Sequence, residues 1–137
     1  MKAVVDLGAY SPERAHEQDA GLDLKTPISF TLKAGQSYIV DTGTHVELPS
    51  GTYGRLESKS GLHIKHDIVC FGGTIDEGYT GSIRVKLYNL GLKDYTFHGG
   101  DKIVQLVIIP IVRPEIEYVE TLNETERGNS GFGSTGK

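Results

Sequence analysis

The sequence predicts an all-β domain, a sandwich or barrel of short strands. Three observations carry this. Apolar residues recur at every second position rather than every third or fourth. Clusters of Gly, Pro, Asn and Asp interrupt the chain at close intervals. Glycine numbers 18 in 137 residues, near twice its usual share of about 7%. The alternation is plainest over residues 82–88, where Ile83, Val85 and Leu87 face one way and Ser82, Arg84 and Lys86 the other. Residues 2–7, 29–32, 37–42, 45–48, 53–57, 64–69, 102–109 and 115–119 share this character. Helix is scarce. Residues 11–18 contain polar helix formers but no apolar stripe, so they read as loop. Residues 60–65 suit one short helical turn after a strand.

The length suits one domain with a real core. Residues 1–122 carry the strands. Residues 123–137 are rich in Gly, Ser and Thr and nearly lack aliphatics, so they are expected to form a mobile terminal segment. Cys70 is the only cysteine, which excludes an intrachain disulfide and a cysteine-rich zinc site. His63 and His66 lie three apart, but no carboxylate completes a convincing zinc set with them. The longest apolar stretch, residues 106–112, is far short of the ~18 residues of a membrane span and contains Pro110. The first ten residues lack the apolar core of a secretion signal. The expected setting is therefore reduced and cytoplasmic, away from the membrane. A net charge of −4 argues against a general grip on nucleic acid. An anionic ligand would have to be held by a few local cations, backbone amides or a metal.

Five segments could carry chemistry. In Asp19-Ala20-Gly21-Leu22-Asp23-Leu24, two carboxylates flank a turn that leads into a strand. Asp23 there suits a hydrated cation, because magnesium keeps several waters and often meets one carboxylate beside substrate phosphates. In Gly54 to Leu62 a strand runs into Lys59-Ser60-Gly61, where free amides, a hydroxyl and a lysine make a small anion site. The run Gly72-Gly73-Thr74-Ile75-Asp76-Glu77-Gly78-Tyr79-Thr80-Gly81 reads as a hairpin with backbone groups open to a flat base edge, Asp76 to orient a water and Tyr79 to lie against a sugar. In Gly100 to Ile109, Gln105 sits among aliphatics and needs a polar partner, either backbone or a ligand phosphate. The last segment, Arg127 to Gly136, contains Gly131-x-Gly133-x-x-Gly136. These letters match a dinucleotide fingerprint, which requires a strand before and a helix after; this chain stops at Lys137. As a lid the segment makes sense: Arg127 and the hydroxyls for phosphate, Phe132 for stacking on a base. Taken singly, each segment also fits an ordinary turn, strand or tail.

In this order and spacing, the five segments resemble the five motifs of the trimeric dUTP pyrophosphatases. The resemblance runs from about Asp19 to Gly136, and its most specific parts are residues 73–81 and 127–136. It implies a jelly-roll-like, distorted β-barrel with a flexible C-terminal tail, assembled as a homotrimer with shared active sites. It implies hydrolysis of dUTP to dUMP and pyrophosphate with Mg²⁺ on the triphosphate, a reaction that limits uracil in DNA and supplies dUMP for thymidylate synthesis. Asp76 matches the aspartate that activates water for attack at the α-phosphorus. Tyr79 matches the tyrosine that packs on deoxyribose. Asp23 matches the carboxylate that meets the metal through water. Lys59, Ser60, Gly61 and Gln105 match phosphate contacts, and Gly73, Thr74 and Ile75 lie in the base-gripping segment. Arg127, Phe132, Gly133, Ser134 and Thr135 match the lid, with Phe132 over uracil. Arg84, on the same strand face as Ser82, is a further candidate to reach the ligand.

Three departures bear on recognition. Lys59 stands where the family commonly has Arg, so one two-pronged phosphate contact is lost. Cys70 stands where many members have an Asn that pairs with uracil. Ser130 replaces a common Gly in the lid. Two rivals are weaker. In dCTP deaminases, which share this fold, a general-base Glu falls five residues after the glycine matching Gly81; here that residue is Lys86. An idle barrel that serves as a regulatory binder is disfavoured by the intact Asp76 and lid, and no regulatory partner is indicated. Removing residues 127–137 is expected to cut dUTP turnover severely and leave the melting transition of the barrel in place; kinetics and thermal melts on one truncated preparation check both.

Overall fold

The computed structural model describes residues 1–129. It is almost entirely β-structure: β1 (Lys2–Val5), β2 (Gly21–Lys25), β3 (Phe30–Leu32), β4 (Ser37–Asp41), β5 (Thr44–Glu47), β6 (Thr52–Ser58), α1 (Ser60–His66), β7 (Ile68–Val69), β8 (Thr74–Ile75), β9 (Arg84–Asn89), β10 (Tyr95–Phe97) and β11 (Lys102–Pro110). A four-stranded sheet has the order β2-β11-β6-β8, and a three-stranded sheet the order β4-β9-β7. Two ribbons, β1-β5 and β10-β3, complete the jelly-roll-like barrel. Every pairing is antiparallel. Leu24, Leu56, Val104 and Leu106 of the larger sheet share one buried cluster with Val40, Val85, Leu87 and Ile68 of the smaller, closed by Leu32, Phe97 and Ile103. The period-two spacing is what sends these side chains inward and their neighbours out.

The strands expected over residues 2–7, 29–32, 37–42, 45–48, 53–57, 82–88 and 102–109 are present with shifted ends. Three expectations fail. Residues 64–69 are not one strand: α1 occupies Ser60–His66, and only Ile68–Val69 is extended. The aliphatics Ile64, Ile68 and Val69 suggested strand, but Ile64 is 79% exposed on the helix, whereas Ile68 and Val69 are buried. The helix places His66 against the Tyr95 ring and ends at Asp67, whose φ of 54° and N–H to His63 O form a left-handed cap. Residues 115–119 form no strand either; they run exposed, with Ile116 and Tyr118 in solvent. A strand needs a neighbour to pair with, and the described part of this chain offers none there. Finally, residues 72–81 are not a hairpin. β8 pairs with β6, but the next strand, β9, pairs with β4 and β7, so this stretch crosses between sheets through a tight turn in which Tyr79 N–H donates to Asp76 O.

Asn89 shows how the far end of β9 is fixed. It is 1% exposed; its Nδ2 donates to Leu32 O (3.0 Å) and Lys93 O (2.8 Å), and its Oδ1 accepts from Gly91 N–H (3.0 Å). Asn89→Ala strands buried carbonyls, so a loss of about 3 kcal/mol is expected, read as a lower urea midpoint with unchanged m-value.

Candidate functional site

The residues singled out by sequence fall into two groups, set by the ends of β6. The first group lies where β6 gives way to α1. Lys59 has extended backbone and caps the helix without a side-chain cap bond, so the first amides of the turn, at Ser60 and Gly61, point outward without intrahelical acceptors. Across the sheet, Gln105 on β11 lies opposite Glu57 on β6 and Asp23 on β2. Directly opposed residues share a face, so Asp23 and Gln105 are side by side. Gln105 Nε2 reaches Ser58 O at 3.4 Å, a long bond that leaves capacity for a better acceptor. Gly21 is required beside it: a Cβ there would lie 2.5 Å from Gln105 Oε1.

Asp23 is 6% exposed and doubly paired. Lys59 Nζ donates to Oδ1, and Lys102 Nζ lies 2.9 Å from Oδ2. Lys102 also lies 2.9 Å from Glu13 Oε1, and Lys25 lies 2.7 Å from Glu13 Oε2. The result is a chain of alternating charge, Lys25–Glu13–Lys102–Asp23–Lys59. Burial opposes ionisation of Asp23, but the hydrogen bonds from Lys59 and Lys102 outweigh it and hold the carboxyl below its usual range. The hydrogen bonds from Lys25 and then Lys102 pull Glu13 down to about 2. Glu13 and Lys102 were not singled out by sequence. Their link depends on an irregularity in β11 between Lys102 and Val104, which sets Lys102 opposite Lys25.

The second group lies at the other end. Ile75 is opposite Gly54, so Asp76 leaves the sheet beside the start of β6 and is exposed. Neighbouring bonds fix its turn. Glu77 Oε2 accepts from Gly51 N–H (3.0 Å) and from Arg113, and the Arg113 guanidinium, then the Gly51 amide, lower the Glu77 pKa. Tyr79 OH donates to Ser82 O (2.9 Å), with its ring against Gly81. His45 Nδ1 meets Thr80 O at 2.8 Å and its Nε2 lies 3.3 Å from Asp6, contacts that raise its pKa, the Thr80 carbonyl most. Before the turn, Leu56 N–H donates to Gly73 O, and Gly72 adopts a φ of 93°. Cys70 is buried, its N–H and C=O both bonded to Ser58 Oγ at 2.9 Å, and burial pushes its thiol pKa up. Arg84 pairs with Asp41 (3.3 Å), which also accepts from Ser82 Oγ and Gly43 N–H.

The structure thus brings Lys59, Ser60, Gly61, Asp23 and Gln105 to one end of β6, and Asp76 and Tyr79 to the other. The length of β6 and its flanks separates the groups by about 20 Å at strand rise. Among the sequence-proposed lid residues Arg127 is described and belongs to the exposed terminal stretch; Phe132, Gly133, Ser134 and Thr135, like Ser130, lie outside the described residues. No helix among the described residues is long and apolar enough to cross a membrane.

A β-barrel with a lysine-and-amide cluster at one end of a strand and an exposed aspartate turn at the other is an arrangement suited to an anionic ligand and a carboxylate-oriented water. Comparison with known proteins narrows the reading. A family model described as dUTPase matches residues 9–136, and the chain belongs to that family. It is 43% identical over 134 residues to the deoxyuridine 5'-triphosphate nucleotidohydrolase of Clostridium acetobutylicum, covering 96% of this chain and 92% of the relative. Among solved structures, it resembles a mutant dUTPase of Staphylococcus bacteriophage 80alpha with dUpNHpp, at a TM-score of 0.91 and 30% identity, covering 99% of this chain and 98% of that one. It also resembles a mutant dUTPase of phage phi11 of S. aureus, described with a structural Mg(II) ion, at a TM-score of 0.83 and 28% identity over 90% of this chain and 98% of that one.

The charge chain gives a pH expectation. Because Glu13 titrates near 2 in the folded protein against 4.5 for the free group, its stabilising contribution is complete above 4.5 and disappears as pH falls toward 2. Glu13→Gln is therefore expected to flatten the acid-side fall in stability over that window, seen by urea midpoints measured from pH 6 downward in ~0.5-unit steps.

Proposed function

We propose that the chain hydrolyses dUTP to dUMP and pyrophosphate at sites shared between copies of a homotrimer. The observation that carries the sharing is the separation along β6. One chain holds its phosphate-side group and its Asp76 at opposite ends of a stiff strand, whereas the reaction needs them on one nucleotide. The exposed apolar arm supports the same reading: Val112, Ile116, Tyr118 and Leu122 are the kind of side chains a second copy would cover.

Within such a site, Asp76 accepts a hydrogen bond from water and aims it at the α-phosphorus. The Glu77 and Tyr79 bonds keep its turn in one geometry, so little entropy is lost on positioning. The backbone around Gly73, Thr74 and Ile75 faces uracil. Tyr79, held over Gly81, packs on deoxyribose and leaves no room for a 2′-hydroxyl. Ser60, Gly61 and Gln105 receive the phosphates, with Lys59 as a point charge. The terminal segment, with Arg127 and Phe132, closes over the nucleotide.

The residues fit Mg²⁺ in one particular way. Among the described residues no group of three or more His, Cys, Asp or Glu gathers at one point, so a protein cage is absent and the ion would keep waters and phosphate oxygens, meeting Asp23 through water. When bound, it neutralises charge on the triphosphate. The protein's own part is to hold Asp23 ionised.

A pyrophosphate-release assay with dUTP, dCTP and dTTP tests the reading. Release from dUTP alone is expected; ammonia from dCTP would instead identify a deaminase, and silence on all three a binder. In the same assay Asp76→Asn is expected to lose turnover by at least about 10³-fold, a loss of the order expected for a positioned base, while still binding a non-hydrolysable dUTP analogue.

A further inference from the structure

We propose that Lys59 is an exchangeable cation: it occupies the Asp23 carboxylate in the nucleotide-free protein and leaves it for phosphate when nucleotide arrives, so that Asp23 is withheld from a divalent cation until the nucleotide brings one. This rests on the proposed function.

Both Asp23 oxygens are taken, Oδ1 by Lys59 and Oδ2 by Lys102. The two lysines are not equivalent. Lys102 is shared with Glu13 and so has a second carboxylate to hold it in place. Lys59 is paired with Asp23 alone among the ion pairs of the described residues, and it caps α1 immediately before Ser60 and Gly61. Its backbone is thus already beside the phosphate-receiving amides while its ammonium lies back on Asp23. A lysine suits such an exchange: its three rotatable donors sit on a flexible stem, and one acceptor replaces another without the fixed two-pronged geometry of arginine. The charge count points the same way. Three lysines and two carboxylates leave the cluster at +1, which repels a free dication and attracts a polyphosphate. Once phosphate takes Lys59, one Asp23 oxygen faces the metal carried by that phosphate. Nucleotide and metal binding are thereby coupled, and the coupling is reciprocal.

The test is Mn²⁺ binding to nucleotide-free protein, followed by electron paramagnetic resonance, for wild type, Lys59→Gln and Lys59→Arg. Lys59→Gln, which frees Oδ1, is expected to bind Mn²⁺ at least about tenfold more tightly than wild type, the effect of removing one charge beside the ion. Lys59→Arg keeps a cation on Asp23 and is expected to stay within about threefold of wild type. Adding a non-hydrolysable dUTP analogue is expected to tighten Mn²⁺ binding strongly in wild type and much less in Lys59→Gln. Equal or weaker nucleotide-free binding in Lys59→Gln overturns the exchange, as does tightening by Lys59→Arg to the same extent. The titration needs no turnover. A chain that hydrolyses dUTP but shows no Lys59→Gln effect loses only the exchange, whereas one that fails to release pyrophosphate from dUTP loses the functional reading beneath it.

Discussion

Strand β6 is the constraint that the rest of the molecule answers to. Seven register pairs, from Val104 opposite Ser58 to Pro110 opposite Thr52, bind it to β11. Its inner face is packed so closely at Gly54 that a Cβ would lie 2.8 Å from Leu106 Cδ1 and 3.2 Å from Ile75 Cβ. A strand so held does not bend to bring its ends together. Asp76 is tied to one end through β8, and Lys59, Ser60 and Gly61 follow directly from the other. The barrel works as a spacer that keeps Asp76 away from Lys59, Ser60 and Gly61 of its own chain.

The second theme is how an acidic chain handles a polyanion. With a formal charge of −4, the protein as a whole repels its substrate. Positive charge is gathered locally, where three lysines interleave with two carboxylates around the Asp23 end of β2. The carboxylates let the lysines gather at close range, and the lysines keep the buried Asp23 ionised. Neither set would be stable there without the other.

Much of this was legible in the sequence. The motif segments are local, so their order and spacing can be read along the chain: Asp76 with Tyr79, Lys59 with Ser60 and Gly61. Long strands with clear alternation were legible for the same reason. What was not legible depends on pairing at a distance. β10 and β8 are too short to show a period, and exist because β3 and β6 lie beside them. Residues 64–69 start and finish on aliphatics, yet the left-handed cap at Asp67 divides them into helix and strand. Residues 115–119 have strand composition without a partner. Lys102 and Glu13 reach Asp23 only through the β11 irregularity and the isolated bridge between Glu13 and Asp23, neither of which leaves a mark on composition.

On the proposed shared-site reading, the two-ended layout of β6 also shapes how damage spreads. In an assembly whose every reaction centre borrows from more than one chain, one defective copy disables more than a single centre. A lesion near Asp76 and another near Lys59 would then spoil different centres in a mixed oligomer, and two faulty chains could restore between them a centre that neither completes alone. Selection on such a protein acts on the quality of the whole population of chains in a cell, since an intact molecule gains little from being sound among unsound neighbours.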